Sequence, residues 1–327
     1  MKILHLSDTH LGNHLRVRGA PEGWTRGLDH EAALARALQP AMREEVDLVI
    51  HSGDVFNRSR PDAAAMRGAA RLFTRAARRV PVVVVPGNHD RHGVRRSLPY
   101  RAPNLHVCDR PQRLEIAGIA LALVPYQRRA GRWKQAARLA CGKGVDLLVA
   151  HQAFEGAVVP GLVFRDEPDT IREGHVPGGV KHILCGHIHP RQVTPVGQAL
   201  VVQPGSTERT LFSEASEPKG TCHWHLDRNI TFAFVDHATR PMRTITHRYQ
   251  LRELEPGTLV RPRGVDPDEV LETGAWVCES AWRPQAPVAR EPVAQLGLFA
   301  SLVGAPREAR GPRPRSPGSG AGPRPRP

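Results

Sequence analysis

With 327 residues and a formal net charge of +14, the chain is long enough for one sizeable domain with a real core plus a smaller unit or tail, although its 40% hydrophobic content is low for a globular protein. Five cysteines scattered without a C-x-x-C pair exclude a disulfide framework and a zinc knuckle, and no run approaches the roughly 18 apolar residues that a membrane span requires. MKILHLSD turns polar too early for a secretion signal, so a reducing cytoplasm is the expected compartment.

Lys2 to Ser7 alternates around Ile3, Leu4 and Leu6 and stops at Asp8-Thr9-His10, which reads as a strand and its loop. Asp29 to Glu45 places Ala33, Leu34, Ala37, Leu38 and Met42 at helical spacing, and the short strand Asp47 to His51 then ends in Ser52-Gly53-Asp54. A second helix runs from about Pro61 to Arg79, with proline in its first turn. Val82 to Val85 is a β-branched run that suits a strand covered on both faces; Pro86-Gly87 ends it and delivers Asn88, His89 and Asp90. Strand, loop and helix in succession predict a parallel α/β sheet with helices over its faces.

From Asn104 to Pro125 the pattern shortens to successive strands, and Arg132 to Cys141 reads as a helix. Val145 to Ala150 is a buried strand ending at His151, Lys181 to Cys185 one ending at Gly186-His187-Ile188-His189, and Leu200 to Gln203 leads to Pro204-Gly205-Ser206-Thr207. After Gly220 come strand-like stretches at Thr221 to Leu226, Ile230 to Val235 and Thr244 to Leu251, then a short helix at Asp266 to Glu272. The expected division is a catalytic domain over 1–218, a small capping unit over 219–282 and a disordered Pro/Arg/Gly-rich tail over 283–327, whose composition cannot bury enough apolar surface to order itself.

Strand after strand thus ends at groups that bind metals or phosphate: Asp8 and His10, Asp54, Asn88 and His89, His151, and His187 with His189. Oxygen and imidazole donors without a thiolate suit hard-to-borderline divalent ions. Two such ions about 3.5–4 Å apart activate water and stabilise both the attacking and the leaving oxygen of a phosphoryl displacement. In D-x-H and H-x-H, residues i and i+2 of an extended segment point the same way, so each pair serves one pocket. An isolated NHD would equally be a polar turn capped by its own side chains; the repetition argues against that.

SDTHLG, GDVFNRSRP, VPGNHD, AHQ, GHIHP and VVQPGSTERTLFSEASEPKG, in that order within residues 1–225, resemble the calcineurin-like metallophosphoesterases and, among them, the SbcD/Mre branch of DNA-repair nucleases. The resemblance implies a layered α/β fold of central sheets with flanking helices. It implies one metal held by Asp8, His10, Asp54 and His189 and a second by Asp54, Asn88, His151 and His187, with Asp54 as the bridge and Mn2+ as the usual ion. His89 would face the substrate as proton donor or transition-state stabiliser, and Asp90 would orient it by hydrogen bonding. The implied activity is metal-dependent hydrolysis of DNA phosphodiester bonds, as an exonuclease or a structure-selective endonuclease of repair. Relatives of this kind are commonly homodimers and work with an SMC-like ATPase of the SbcC type; no Walker sequence occurs here, so such an ATPase would act in trans.

Basicity favours a polyanionic partner, since each neutralised phosphate releases condensed counterions. It is not confined to the tail, which from Pro306 onward has six Arg and one Glu and leaves +9 on the body. Only five of the 46 basic residues are Lys, an Arg bias that genome composition also produces. Arg58, Arg60, Arg91, Arg95 and Arg96 lie nearest the expected mouth and are the candidate DNA-phosphate contacts. Arg67, Arg71, Arg75 and Arg78 form one stripe on the second helix and read equally as a solvated face. His5, His14, His30, His51, His92, His175 and His182 fall outside the pattern and read as structural or surface residues.

QLGLF, at 295–299, resembles the bacterial sliding-clamp binding pentapeptide, which implies that Gln295, Leu296, Leu298 and Phe299 anchor the tail on the clamp. The alternative for this apolar island is a strand or half-turn tucked onto the core. For the whole chain, the competing readings are a phosphodiesterase for cyclic or small nucleotides and a non-catalytic, clamp-tethered DNA-binding scaffold. A complete ligand set argues against the scaffold.

Overall fold

A computed structural model of the chain describes residues 1–90, 94, 102–159 and 167–278. The first half holds β1 (Lys2–Leu6), β2 (Val17–Arg18), α1 (Arg26–Ala37), α2 (Gln39–Met42), β3 (Leu48–His51), α3 (Ala63–Ala77), β4 (Val82–Val84) and β5 (Leu105–Val107). Next come β6 (Gln112–Ile116), β7 (Ile119–Val124), α4 (Ala130–Cys141), β8 (Leu147–His151), β9 (His182–Gly186), β10 (Gln192–Val196) and β11 (Ala199–Gln203). The remainder contains β12 (Gly220–Leu226), β13 (Ile230–Asp236), β14 (Met242–Ile245), β15 (Leu259–Pro262), α5 (Pro267–Glu272) and β16 (Trp276–Cys278).

Two six-stranded sheets carry the fold, one ordered β13-β12-β1-β3-β4-β5 and the other β10-β11-β9-β8-β7-β6. Their central strands are buried on both faces, which explains why they read as near-continuous apolar runs. Ile3, Ile50, Val83 and Trp224 of the first sheet meet Leu121, Val149, Leu184 and Val202 of the second in a core between the sheets. Leu4, Val49 and Val82 turn the other way, onto Leu34 and Ala37 of α1 and Ala69 and Phe73 of α3. Ala150 and Ile183 of the second sheet pack with Trp133, Ala137 and Ala140 of α4. The result is a helix, sheet, sheet, helix layering.

Two local expectations shift. Asp29 to Glu45 is not one helix: α1 ends at Ala37 and the short α2 follows, because Pro40 has no N–H to donate and clashes with the carbonyl one turn back. Thr244 to Leu251 is strand only to Ile245; the Gln250 side chain then accepts hydrogen bonds from the backbone N–H groups of Thr246 and His247, at 2.8 and 3.0 Å, and closes a helical turn over Arg248–Glu253.

A larger correction concerns residues 220–236, expected in the capping unit. β12 pairs antiparallel with β1, Ile3 opposite Trp224, and β13 pairs with β12, so both extend the first sheet. The reason is burial: Cys222 and Trp224 have no exposed surface and fill the core between the sheets. The small third sheet runs β14-β15-β16-β2 and recruits β2 from the loop between β1 and α1. Arg240 ties this sheet to α1, gripping both carboxylate oxygens of Asp29 at 2.6 and 2.8 Å while its guanidinium stacks over Trp276, 4.4 Å from the ring centre. The tail over 283–327, with its expected disorder and the 295–299 segment, lies outside the described residues. So do His92, Arg91, Arg95 and Arg96. Among the described residues no helix is long and apolar enough to cross a membrane.

Candidate metal centre

β1, β3 and β4 run parallel, as do β8 and β9, so their carboxyl ends open on one side and bring the polar loops together. The backbone there is bent out of its ordinary range. Asp8 (φ 52°), His10 (φ 45°), Asp54 (φ 55°) and His187 (φ 88°) are four of the six non-glycine residues with positive φ among those described. Each such residue costs about 1–3 kcal/mol and persists only where its surroundings hold it. Asp8 N–H donates to Gly53 O at 2.9 Å, His10 N–H to Asp54 O at 3.1 Å, and His187 N–H to the Asp8 carboxylate at 3.1 Å. Gly87 is required by close approach, since a Cβ there would sit 2.2 Å from Asp54 Oδ1.

Asp54 lies between two groups of donors. On one side His10 Nε2 is 3.9 Å from Asp54 Oδ2 and 3.1 Å from His189 Nε2; Asp8, His10 and His189 bring one donor atom each within 4.8 Å of the others. On the other side His151 Nε2 is 3.4 Å from Asp54 Oδ2, and both His151 Nε2 and His187 Nδ1 converge on Asn88 Oδ1, at 3.0 and 2.9 Å. All seven residues proposed as ligands from the sequence are thus gathered in one place, and Asn88 is the least buried of them.

Hydrogen bonds behind the donors fix which nitrogens face inward. His151 Nδ1 donates to Ser52 O at 2.8 Å, so in the neutral ring its Nε2 turns a lone pair toward the oxygen lone pairs of Asn88 and Asp54. His189 Nδ1 lies 2.9 Å from both Glu214 Oε1 and Thr210 Oγ1, and its Nε2 faces His10. Lone pairs aimed at one another need a proton or a cation between them, and carboxylate, amide oxygen and imidazole are the donors that divalent cations take. The residues therefore fit a divalent metal centre.

Proton affinities register the same crowding. Burial raises the Asp54 carboxyl, but the imidazoles of His151, His89 and His10 outweigh it and hold Asp54 well below the usual carboxylate range. Burial lowers His151, yet Asp54 and Asp8 push it up to about 9. Burial and then His151 press His187 down to about 3, and burial with His189 lowers His10 well below its ordinary value. Behind the centre, burial first of all brings His5, His30 and His51 each to about 3, so they are neutral props: His5 to Ser52, His51 to Thr9, His30 to the Thr9 carbonyl.

His89 stands at the open side, Nε2 3.9 Å from Asp54 Oδ2, with Nδ1 donating to Asn57 O at 2.9 Å. Its expected support, Asp90, is placed otherwise. The buried Asp90 carboxylate accepts from the backbone N–H groups of Val55, Phe56 and Gly87, at 3.0, 3.1 and 3.1 Å, and so clamps the loop after β3 to the loop after β4. The physical reason is that three buried N–H groups need an acceptor, and the residue after His89 points back at them rather than along its neighbour's ring. Burial and the nearby Asp54 push the Asp90 carboxyl up to about 6. Arg58 and Arg60 are exposed on the loop that follows Asp54. On α3 and at its C-terminal end, Arg67, Arg71, Arg75 and Arg78 are all exposed, as a solvated face requires, and Arg71 pairs with Glu31 of α1.

Sequence reasoning missed two neighbours. Tyr126 brings its ring centre 5.9 Å from that of His187 and donates its hydroxyl to Asp169 at 2.6 Å. Glu214 reaches His189 from the PGSTERTLFSEASEPKG string, whose family likeness was legible while its partner was not, because nothing local connects residues that far apart in the chain.

Comparison with known proteins agrees with this geometry. Residues 1–191 match the family model described as Calcineurin-like phosphoesterase. The SbcD component of nuclease SbcCD from Rhodobacter capsulatus is 31% identical over 201 residues, covering 58% of this chain and 48% of that protein. DNA double-strand break repair protein Mre11 of Saccharolobus solfataricus is 26% identical over 200 residues, covering 58% and 50%. Its namesake from Archaeoglobus fulgidus is 25% identical over 247 residues, covering 66% and 52%. The chain spans about half the length of these curated relatives.

Proposed function

Given that the chain belongs to the calcineurin-like phosphoesterase family, we propose that it hydrolyses phosphodiester bonds in DNA as a repair nuclease, with two divalent metal ions of which manganese is the favoured kind. The observation that carries the proposal is the convergence of two donor groups on Asp54. Asp8, His10 and His189 would hold one ion and Asn88, His151 and His187 the other, with Asp54 shared. When bound, such a pair supplies a water nucleophile at neutral pH and neutralises charge on the phosphate.

The chain's own groups do the rest. His89 gives its Nδ1 hydrogen to Asn57 O, so the ring is fixed with Nε2 toward the centre; in its imidazolium form that nitrogen holds a proton for the leaving oxygen. Asp90 keeps the loops carrying Asp54 and His89 at a fixed separation. Arg58 and Arg60, exposed on the loop that follows Asp54 in a chain of net charge +14, would contact phosphates flanking the cleaved bond. A relative named as one component of the SbcCD nuclease supports an ATPase acting in trans, and a homodimer belongs to the same reading. So does a division into a catalytic domain, an accessory unit and a tail, and the 295–299 segment would tether the enzyme to the sliding clamp.

Turnover of defined single-stranded, blunt and recessed oligonucleotides, compared with cyclic nucleotides under manganese and under a chelator, tests the reading. The expected result is manganese-dependent cleavage of DNA. Turnover of cyclic nucleotides with DNA left intact would point to the small-nucleotide phosphodiesterase instead.

A further inference from the structure

The string that follows β11 wraps around one residue. Gly205, at φ 78°, turns the chain so that Ser206 N–H donates to His189 O at 3.1 Å. Lys219 Nζ donates to the same carbonyl at 3.2 Å and to Glu214 Oε2 at 2.7 Å. Glu214 Oε1 faces His189 Nδ1 at 2.9 Å and also takes the Thr210 hydroxyl; Oε2 takes Thr210 N–H at 3.1 Å and lies 3.5 Å from Ser206 Oγ. His189 and Glu214 are each 5% exposed and Lys219 is 2% exposed.

Burying a carboxylate and an ammonium costs more than burying apolar groups of the same size, so packing alone gives no reason for this pair. What the two ions share is His189: Lys219 takes its carbonyl and Glu214 its ring. We propose that Glu214 is a positioning residue for His189, with Lys219 as its counter-ion. The carboxylate accepts the Nδ1 hydrogen, selects the tautomer whose lone pair is on Nε2, turns that nitrogen toward His10, and strengthens it as a donor to a metal ion. Carboxylates so placed behind a ligating imidazole are worth about 10–100-fold in metal affinity. The inference rests on the metal reading of the centre, and it explains why the PGSTERTLFSEASEPKG string folds back here, since its Glu214 and Lys219 serve one ligand rather than the substrate.

The test is calorimetric titration of metal-free full-length protein with manganese, alongside thermal melting. Wild type should bind two ions. Glu214→Gln should weaken one of the two by about 10–100-fold and leave the other near its wild-type affinity. Because that change strands the Lys219 charge, the paired variant Glu214→Gln with Lys219→Met is measured too: it should melt close to wild type and still bind one ion weakly. Wild-type affinity at both sites in Glu214→Gln, or its recovery in the paired variant, overturns the inference and leaves the metal centre standing. A wild-type chain that binds no manganese overturns the metal reading, and this inference with it.

Discussion

His89 Nδ1 meets the main-chain carbonyl of Asn57 at 2.9 Å, and this bond directs Nε2 into the centre, 3.9 Å from Asp54 Oδ2. Asn88, one residue earlier, turns its Oδ1 to His151 and His187 instead. Adjacent residues therefore have separable roles. Asn88→Ala should weaken manganese binding, whereas His89→Ala should keep the ions and lower turnover by about 10² to 10⁴. Metal titration and steady-state cleavage of the two variants check this, and equal metal loss in both would contradict it.

Asp90 leads to a different expectation. Its carboxylate receives three backbone N–H groups from the loops beyond β3 and β4, so Asp90→Ala leaves three buried donors without an acceptor. The variant should lose about 2–4 kcal/mol of stability and bind manganese poorly, because the loop carrying Asp54 loosens. If Asp90 only oriented His89, the variant would melt normally and copy His89→Ala. Denaturant melts with metal titration separate the two outcomes.

Acid sensitivity should enter through Asp29. Burial raises its carboxyl, but Arg240 and Arg26 outweigh that and hold it below the ordinary carboxylate value. A folded value below the unfolded one adds stability above the unfolded pKa, near 4, and that stability is lost as pH falls through the folded value. Asp29→Asn should therefore be about 1–2 kcal/mol less stable than wild type at pH 7, a modest figure because the carboxylate remains partly open to water. The gap should close between about pH 5 and pH 3. Urea melts at several pH values measure it, and a gap independent of pH would contradict the assignment.

Trp224 tests where the catalytic domain ends. It has no exposed surface and lies opposite Ile3 in the core between the two sheets. Trp224→Ala should cost about 3–5 kcal/mol and lower the single unfolding transition of the whole sheet pair. A variant that melts like wild type, or that releases only a small separate transition, would return β12 and β13 to an independent unit.

The parts of the fold legible in the sequence are those whose signal is local. Val82 to Val85 and Val145 to Ala150 read as strands because a strand covered on both faces needs a near-continuous apolar run, and the donors at their ends stood out because polar groups interrupted those runs. Partnership is not local. The alternation at Thr221 to Leu226 declares a strand without declaring β1 as its neighbour, and Val17-Arg18 is too short to declare anything. The family resemblance cast Asp90 as a support for His89, while its partners Val55 and Phe56 are brought beside it only by the pairing of β3 with β4. Glu214 and His189 meet by the same kind of tertiary contact.

The central claim is that Asp54 joins two metal sites that cut DNA, and one comparison tests it most directly: manganese content and cleavage of a recessed duplex by wild type and by Asp54→Ala. The expected result is two ions per wild-type chain with cleavage abolished by a chelator, and loss of both ion binding and cleavage in the variant. Full cleavage by Asp54→Ala would contradict it.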